Sequence, residues 1–207
     1  MSRLVAIVRT RHALSLAFGL VVTVAACASP APSFDPSSAC TTDGHSSRAY
    51  PELEALVPGS LGGRAPTRLD SGRSCSDEAL ATLKQHGVRE LRFAGGLWEQ
   101  GTNSGTTLVV FDSPAPLDAA WLAEFYEAGA RAAKNTDAIE TRQLNIGGAA
   151  GYRLDTLNDD SYQTVVVWPR KGHVAAALVA SAVREVGTRA AHEARVTDAL
   201  GAFDGLP

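Results

Sequence analysis

Cysteine, lysine, methionine and aromatic side chains are all scarce in this 207-residue chain: three Cys, three Lys (Lys84, Lys134, Lys171), one Met, and aromatics at 6%. Three cysteines are too few for a disulfide-dense mini-protein or a cysteine-rich zinc module. Excess positive charge is absent too, with 19 Lys+Arg against 22 Asp+Glu and a formal net charge of −3. Such a chain lacks the basic footprint by which proteins hold nucleic acid, so no nucleic-acid partner is expected. No apolar run reaches the ~20 residues of a comfortable membrane span. Catalytic signatures are missing as well. There is no Gly-x-Ser-x-Gly elbow, no His-Glu-x-x-His, no phosphate-binding loop, and no Ser-x-x-Lys with the other penicillin-binding signatures. The five histidines (His12, His45, His86, His173, His192) lack ligand spacing, and His192-Glu193, placed on a helix surface, has no second histidine beside it. The expectation is a non-enzymatic protein with no catalytic residue, no cofactor and no metal.

What is present is unevenly distributed. Residues 1–26 carry Arg3, Arg9 and Arg11 and no acid, which leaves 16 basic against 22 acidic groups for the remainder. A positive segment followed by the apolar stretch Ala13–Ala26 has the charge and length of an export signal. It ends in Val24-Ala25-Ala26-Cys27: an aliphatic residue, two small residues, then a thiol. This box resembles the signal peptides of bacterial lipoproteins. The resemblance implies cleavage before Cys27, a diacylglycerol thioether on that residue, and a location at the cell membrane, lipid-anchored on the extracytoplasmic face. Two acyl chains anchor stably because each buried CH₂ contributes ~0.8 kcal/mol. The mean hydropathy of −0.03 therefore includes a leader that the mature protein does not keep.

Residues 27–49 are rich in Ser, Pro, Thr and Gly without apolar periodicity, and read as a disordered tether. With Cys27 acylated, Cys40 and Cys75 remain. In an oxidising compartment this even remainder predicts a disulfide, free thiols or an intermolecular bond being the alternatives.

Residues 50–207 read as a single domain. Pro51–Val57 is a short helical segment stopped by Pro58-Gly59. Ser76–Gly87 reads as a helix capped by serine and ended by glycine. Arg89–Ala94 and Thr106–Phe111 read as strands. Leu117–Lys134 is the best helix, with Trp121, Leu122, Phe125, Ala128 and Ala132 on one face. Four extended runs follow, Ala138–Ile146, Ala150–Leu157, Tyr162–Trp168 and His173–Ala180, separated by short turn-forming segments that predict antiparallel hairpins. A final helix spans about Thr188–Phe203 with Val196, Leu200 and Phe203 as its seam. The expected class is α+β: an antiparallel sheet of about six strands, two main helices on one face, and the short N-terminal helical segment. This element order is similar to that of several bacterial envelope-lipoprotein domains, the PsbP-like class included. Leu53–Gly63 (Leu-Glu-Ala-Leu-Val-Pro-Gly-Ser-Leu-Gly-Gly) resembles the opening of uncharacterised actinobacterial and chloroflexal lipoprotein domains. It contains no catalytic residue, so it implies no activity.

Few residues stand out as a site. Trp121, Phe125 and Trp168, with Trp98, Tyr152 and Tyr162, are the candidates to line an apolar cavity between sheet and helix, core packing being the default. Asp155, Asn158, Asp159 and Asp160 cluster at a turn, either as oxygen ligands for calcium or as a solvated hairpin tip. Arg170-Lys171 with His173 form a small basic loop. The functional expectation is a lipid-anchored extracytoplasmic binding or interaction module of the bacterial envelope, whose partners are the membrane and either an envelope protein or an apolar ligand. A lipid or apolar-ligand carrier and an envelope hydrolase are the alternatives.

Overall fold

The computed structural model describes residues 34–204; the leader and Cys27 lie outside them. Eight strands form one antiparallel sheet: β1 Gly44–Ser46, β2 Arg68–Ser74, β3 Leu91–Glu99, β4 Gly105–Asp112, β5 Thr136–Ile146, β6 Ala149–Asn158, β7 Ser161–Arg170 and β8 His173–Ala182, in the order β1-β2-β3-β4-β8-β7-β6-β5. The helices are α1 Pro51–Glu54, α2 Asp77–Leu80 continuing as a 3₁₀ turn over Ala81–His86, α3 Ala119–Ala132, α4 Val183–Val186 and α5 Arg189–Gly201. The molecule is thus dominated by its sheet. The sequence-based expectation of six strands and two helices on one face is corrected on both counts.

The second correction has a direct cause in the strands. β8 reads His-Val-Ala-Ala-Ala-Leu-Val-Ala-Ser-Ala, nearly continuous apolar residues rather than an alternation. A strand of that composition is buried on both faces. Ala175, Ala177 and Val179 join Leu108, Val110, Val166 and Trp168 on one face, under α1 and α5. Val174 and Ala176 join Val109, Phe111 and Val167 on the other, under α3 and the 3₁₀ turn. The sheet lies between two helical layers, and α3 and α5 are on opposite sides of it.

The missing strands escaped because β1 is three residues long with none buried, and the buried side chains of β2 are polar. β2 (Arg-Leu-Asp-Ser-Gly-Arg-Ser) contains a single large apolar side chain. Yet Ser71 is fully buried, accepting from the Tyr50 N–H (2.8 Å) and donating to Glu54 Oε1 (2.7 Å). Arg73, 2% exposed, donates to the carbonyls of Ser38 (2.7 Å), Ala39 (3.1 Å) and Pro36 (3.2 Å). That guanidinium collects backbone that composition assigned to a tether. β1 pairs with β2 in the register Gly44↔Arg73 to Ser46↔Ser71, and Cys40 is bridged to Cys75. The compact unit accordingly begins at Phe34, not at Tyr50.

Local signals elsewhere act as the chemistry requires. Asp118 caps α3, accepting from the Ala120 N–H at 2.8 Å, and Thr188 caps α5 through the Ala191 N–H at 3.2 Å. Gly147-Gly148 takes left-handed φ values of 59° and 87° and closes β5–β6, a two-residue hairpin loop. Ser76 caps α2, but the helix expected over Ser76–Gly87 tightens into 3₁₀ geometry after one turn.

Candidate functional site

Strands β6, β7 and β8 present different chemistry on their two faces, and each face meets one of the longer helices. On the α3 side, the helix begins with bulky residues: Trp121, Leu122 and Phe125 pack into the core. After Tyr126 it continues Glu-Ala-Gly-Ala-Arg-Ala; Glu127 reaches β5, where it accepts from the Thr141 hydroxyl at 3.0 Å, but the residues of this run that face the space beside it, Ala128, Gly129 and Ala132, are too small to fill it. The result is a cavity of about 610 Å³ between the C-terminal half of α3 and the sheet, within the range that holds small molecules. Phe125, Tyr126 and Gly129 form its helix wall, and Leu154, Val165 and Leu178 its sheet wall. Phe125 and Tyr126 meet edge to face at 5.4 Å. Burial pushes the Tyr126 phenol well above its usual ionisation range, so it stays neutral.

One end of the cavity is polar. Thr136 on β5 and Asn158 on β6 are direct cross-strand partners, and both line the cavity. The Asn158 amide donates to Gln163 Oε1 at 3.0 Å. Asn158 Oδ1 and Thr136 Oγ1 are buried and have no hydrogen-bond partner among the described residues. Of the described residues that line the cavity, only Glu78 carries a charge, and it is exposed.

On the α5 side the same strands carry a closed polar network. Asp155, 3% exposed, accepts a bidentate pair from Arg153 (Nε and Nη2, both 2.8 Å), and Arg153 Nη2 also donates to Glu193 at 2.6 Å. The Thr164 hydroxyl donates to Asp155 Oδ1 at 2.6 Å. Having spent its proton there, Thr164 must accept from His192 Nε2 at 2.8 Å. The tautomer follows: Nε2 carries the proton and Nδ1 accepts from the Ser181 hydroxyl at 2.9 Å, while Ser181 accepts from Arg195 at 3.3 Å. Burial holds His192 below the usual histidine range, outweighing the nearby Glu193 carboxylate, which acts in the other direction. Burial works against ionised Asp155, but the Arg153 and Thr164 hydrogen bonds prevail and keep its carboxyl below the usual range.

A Ser–His–Thr–Asp chain has the connectivity of a nucleophile relay. Ser181 and His192 are both completely enclosed, so a reacting group has no path to either. The network acts as a clamp that seats α5 on the sheet. His192 was expected on a helix surface. It heads the stripe His192, Val196, Ala199 that α5 turns inward and that Phe203 continues in the turn after it, and a seam begun four residues earlier than Val196 would have included it.

The remaining candidates are scattered. Phe125 lines the cavity. Trp121 stacks on His86 at 4.7 Å, at the other end of α3. Trp168 has the parity of Val166 and lies on the opposite face, edge-on to Phe203 at 5.1 Å. Trp98 is on that face too, donating to the Arg64 carbonyl at 2.8 Å, as is Tyr162, 5.7 Å from His192. Tyr152 packs on the α3 side without reaching the larger cavity. Asp155 is not at the hairpin tip but inside β6, committed to arginines, and no group of metal-binding side chains occurs among the described residues. Arg170 donates to the Phe203 carbonyl at 2.8 Å, which ties the basic loop to the end of α5. The residues that reasoning from sequence missed are Thr136 and Gly129. The signal for Gly129 was the run of small residues after Tyr126; Thr136, at the start of β5, had none.

No family model and no curated protein matches this chain. Among solved structures, it is similar to the solution structure of cyanobacterial PsbP (CyanoP) from Synechocystis sp. PCC 6803. The identity is 13% over 72% of this chain and 94% of that one, with a TM-score of 0.30. A likeness that slight carries no argument about function.

Proposed function

We propose that this chain is a lipid-anchored extracytoplasmic binding module of the bacterial envelope, and that the molecule it binds is apolar and sits under α3. The observation that carries the reading is the 610 Å³ cavity walled by Phe125, Leu154, Val165 and Leu178. The space is a cleft open on one side, its walls mainly apolar, the kind of concavity in which small ligands sit, and beside a membrane anchor it suits a ligand drawn from, or delivered to, lipid. The Cys40–Cys75 bridge supports maturation in an oxidising compartment, as the box ending in Cys27 requires.

Titration of the full chain with an environment-sensitive apolar fluorophore tests the binding half. Saturable one-to-one binding that long-chain lipids displace is expected; a linear, non-displaceable signal contradicts it. Intact mass and detergent-phase partitioning test the anchor. A diacylglyceryl mass on the chain starting at Cys27, lost in Cys27→Ala, is expected, and an unacylated chain in the aqueous phase contradicts it.

A further inference from the structure

We propose that the cavity under α3 selects a neutral amphiphile whose head group carries a hydroxyl, seated between Asn158 and Thr136. This rests on the reading of the cavity as a ligand site and specifies its ligand class. Three observations converge. Thr136 and Asn158 are directly opposed on β5 and β6 and share one face. Directly opposed residues of an antiparallel pair have Cβ atoms roughly 5 Å apart, close enough for one small group to bridge both side chains. Asn158 Oδ1 and Thr136 Oγ1 are both buried without partners, and a buried polar atom left unpaired is costly enough that native proteins satisfy most of them. Thr156, Gln163 and the exposed Glu78 also border the cavity, but the rest of its wall is mainly apolar (Phe125, Leu154, Val165, Leu178 and the alanines of α3), so the group that completes the pair belongs to a molecule whose remainder is largely hydrocarbon.

The chemistry of the two atoms selects the head group. Asn158 Oδ1 accepts only, while the Thr136 hydroxyl can give or take a proton. A ligand hydroxyl donates to the amide oxygen and accepts from the threonine, satisfying both at once. A carboxylate has no proton for Asn158 Oδ1. It would also find no cation among the described lining residues, where the one charge is that of Glu78. An ammonium can donate, but it would be buried against neutral oxygens, and burying an unpaired charge costs far more than burying a hydroxyl. A plain hydrocarbon leaves both atoms unsatisfied.

The test varies the head group alone. The full chain, purified in an amine-oxide detergent held at one concentration, is incubated with hexadecanol, hexadecanoate, hexadecylamine or hexadecane, and bound ligand is counted by native mass spectrometry. Hexadecanol is expected to bind at least about tenfold better than each of the others, the scale of satisfying one buried polar group. Asn158→Leu and, separately, Thr136→Val should erase that preference while hexadecane still binds. Each variant is checked by circular dichroism, so a failure of one to fold leaves the other as the test. Equal or tighter binding of hexadecanoate, hexadecylamine or hexadecane overturns the head-group assignment and leaves the cavity reading standing. Absence of binding by all four overturns the cavity reading itself.

Discussion

Replacing Thr164 with valine removes one oxygen and almost no volume, and the structure says what that oxygen holds together. Thr164 is 1% exposed, donating to Asp155 at 2.6 Å and accepting from His192 at 2.8 Å. In Thr164→Val the His192 Nε2–H loses its acceptor in a fully enclosed position, a penalty of about 1–3 kcal/mol for a buried unsatisfied donor. Asp155 loses one hydrogen bond but keeps Arg153 and Arg189, so its share falls at the low end of the ~1.5–3 kcal/mol of a charged hydrogen bond. Together the change destabilises the fold by about 3 kcal/mol. Urea unfolding followed by circular dichroism reads this directly. With a slope of roughly 1–3 kcal/mol/M, the midpoint falls by on the order of 1–3 M. Thr164 acts through His192, to which it is hydrogen-bonded. In a double-mutant cycle, Thr164→Val on a His192→Phe background should cost clearly less than on the native chain. A midpoint unchanged by Thr164→Val, or full additivity in the cycle, would refute the clamp.

Other consequences follow from the same geometry. Cys40→Ser with Cys75→Ser opens a bridge of sequence separation 35 and should cost about 4 kcal/mol by loop entropy; equilibrium unfolding of the oxidised chain and the variant measures it. His192 has a folded pKa below its unfolded value of about 6.5. Its neutral state therefore contributes stability that is fully present above pH ~6.5 and declines as pH falls from there toward the lower folded pKa. The native chain should lose stability faster than His192→Phe between about pH 7 and 5.5. Parallel slopes over that window would show that His192 titrates normally.

Much of this architecture is written in the chain at short range. The Asp118 cap, the Gly147-Gly148 turn and the continuous apolar run of β8 are each decided by a few neighbouring residues. That run held more information than a count of strands extracts. Apolar residues on both faces require cover on both faces, which places α3 and α5 on opposite sides of the sheet. What stayed hidden depends on partners far away in sequence. β2 is buried through Ser71 and Arg73, whose solvation is replaced by Tyr50, Glu54 and the carbonyls of residues 36–39, and no local pattern announces that exchange. His192 looked exposed because polar residues usually are, and its acceptor Thr164 lies 28 residues away. Of the aromatics proposed as cavity lining, Phe125 lines it, while Trp168 lies elsewhere for a simpler reason. Strand alternation assigns Trp168 to the face of Val166, so it could not share a pocket with Phe125. Space in a protein is made by small residues, and the cavity sits where α3 turns to alanine and glycine.

Gly129→Leu tests most directly whether a ligand lies under α3. Gly129 is an exposed position in α3 and lines the cavity, and a Cβ built on it meets nothing within 4 Å. A leucine side chain there extends into the cavity without displacing the backbone. Removing a helix-interior glycine should also stabilise α3 by about 0.5–1 kcal/mol, which separates lost binding from lost folding. The measurement is the affinity of the full chain for an apolar fluorophore alongside the melting temperature. A drop in affinity of about tenfold or more with an equal or higher melting temperature is predicted. Unchanged affinity in a folded Gly129→Leu chain would show that the ligand does not lie under α3.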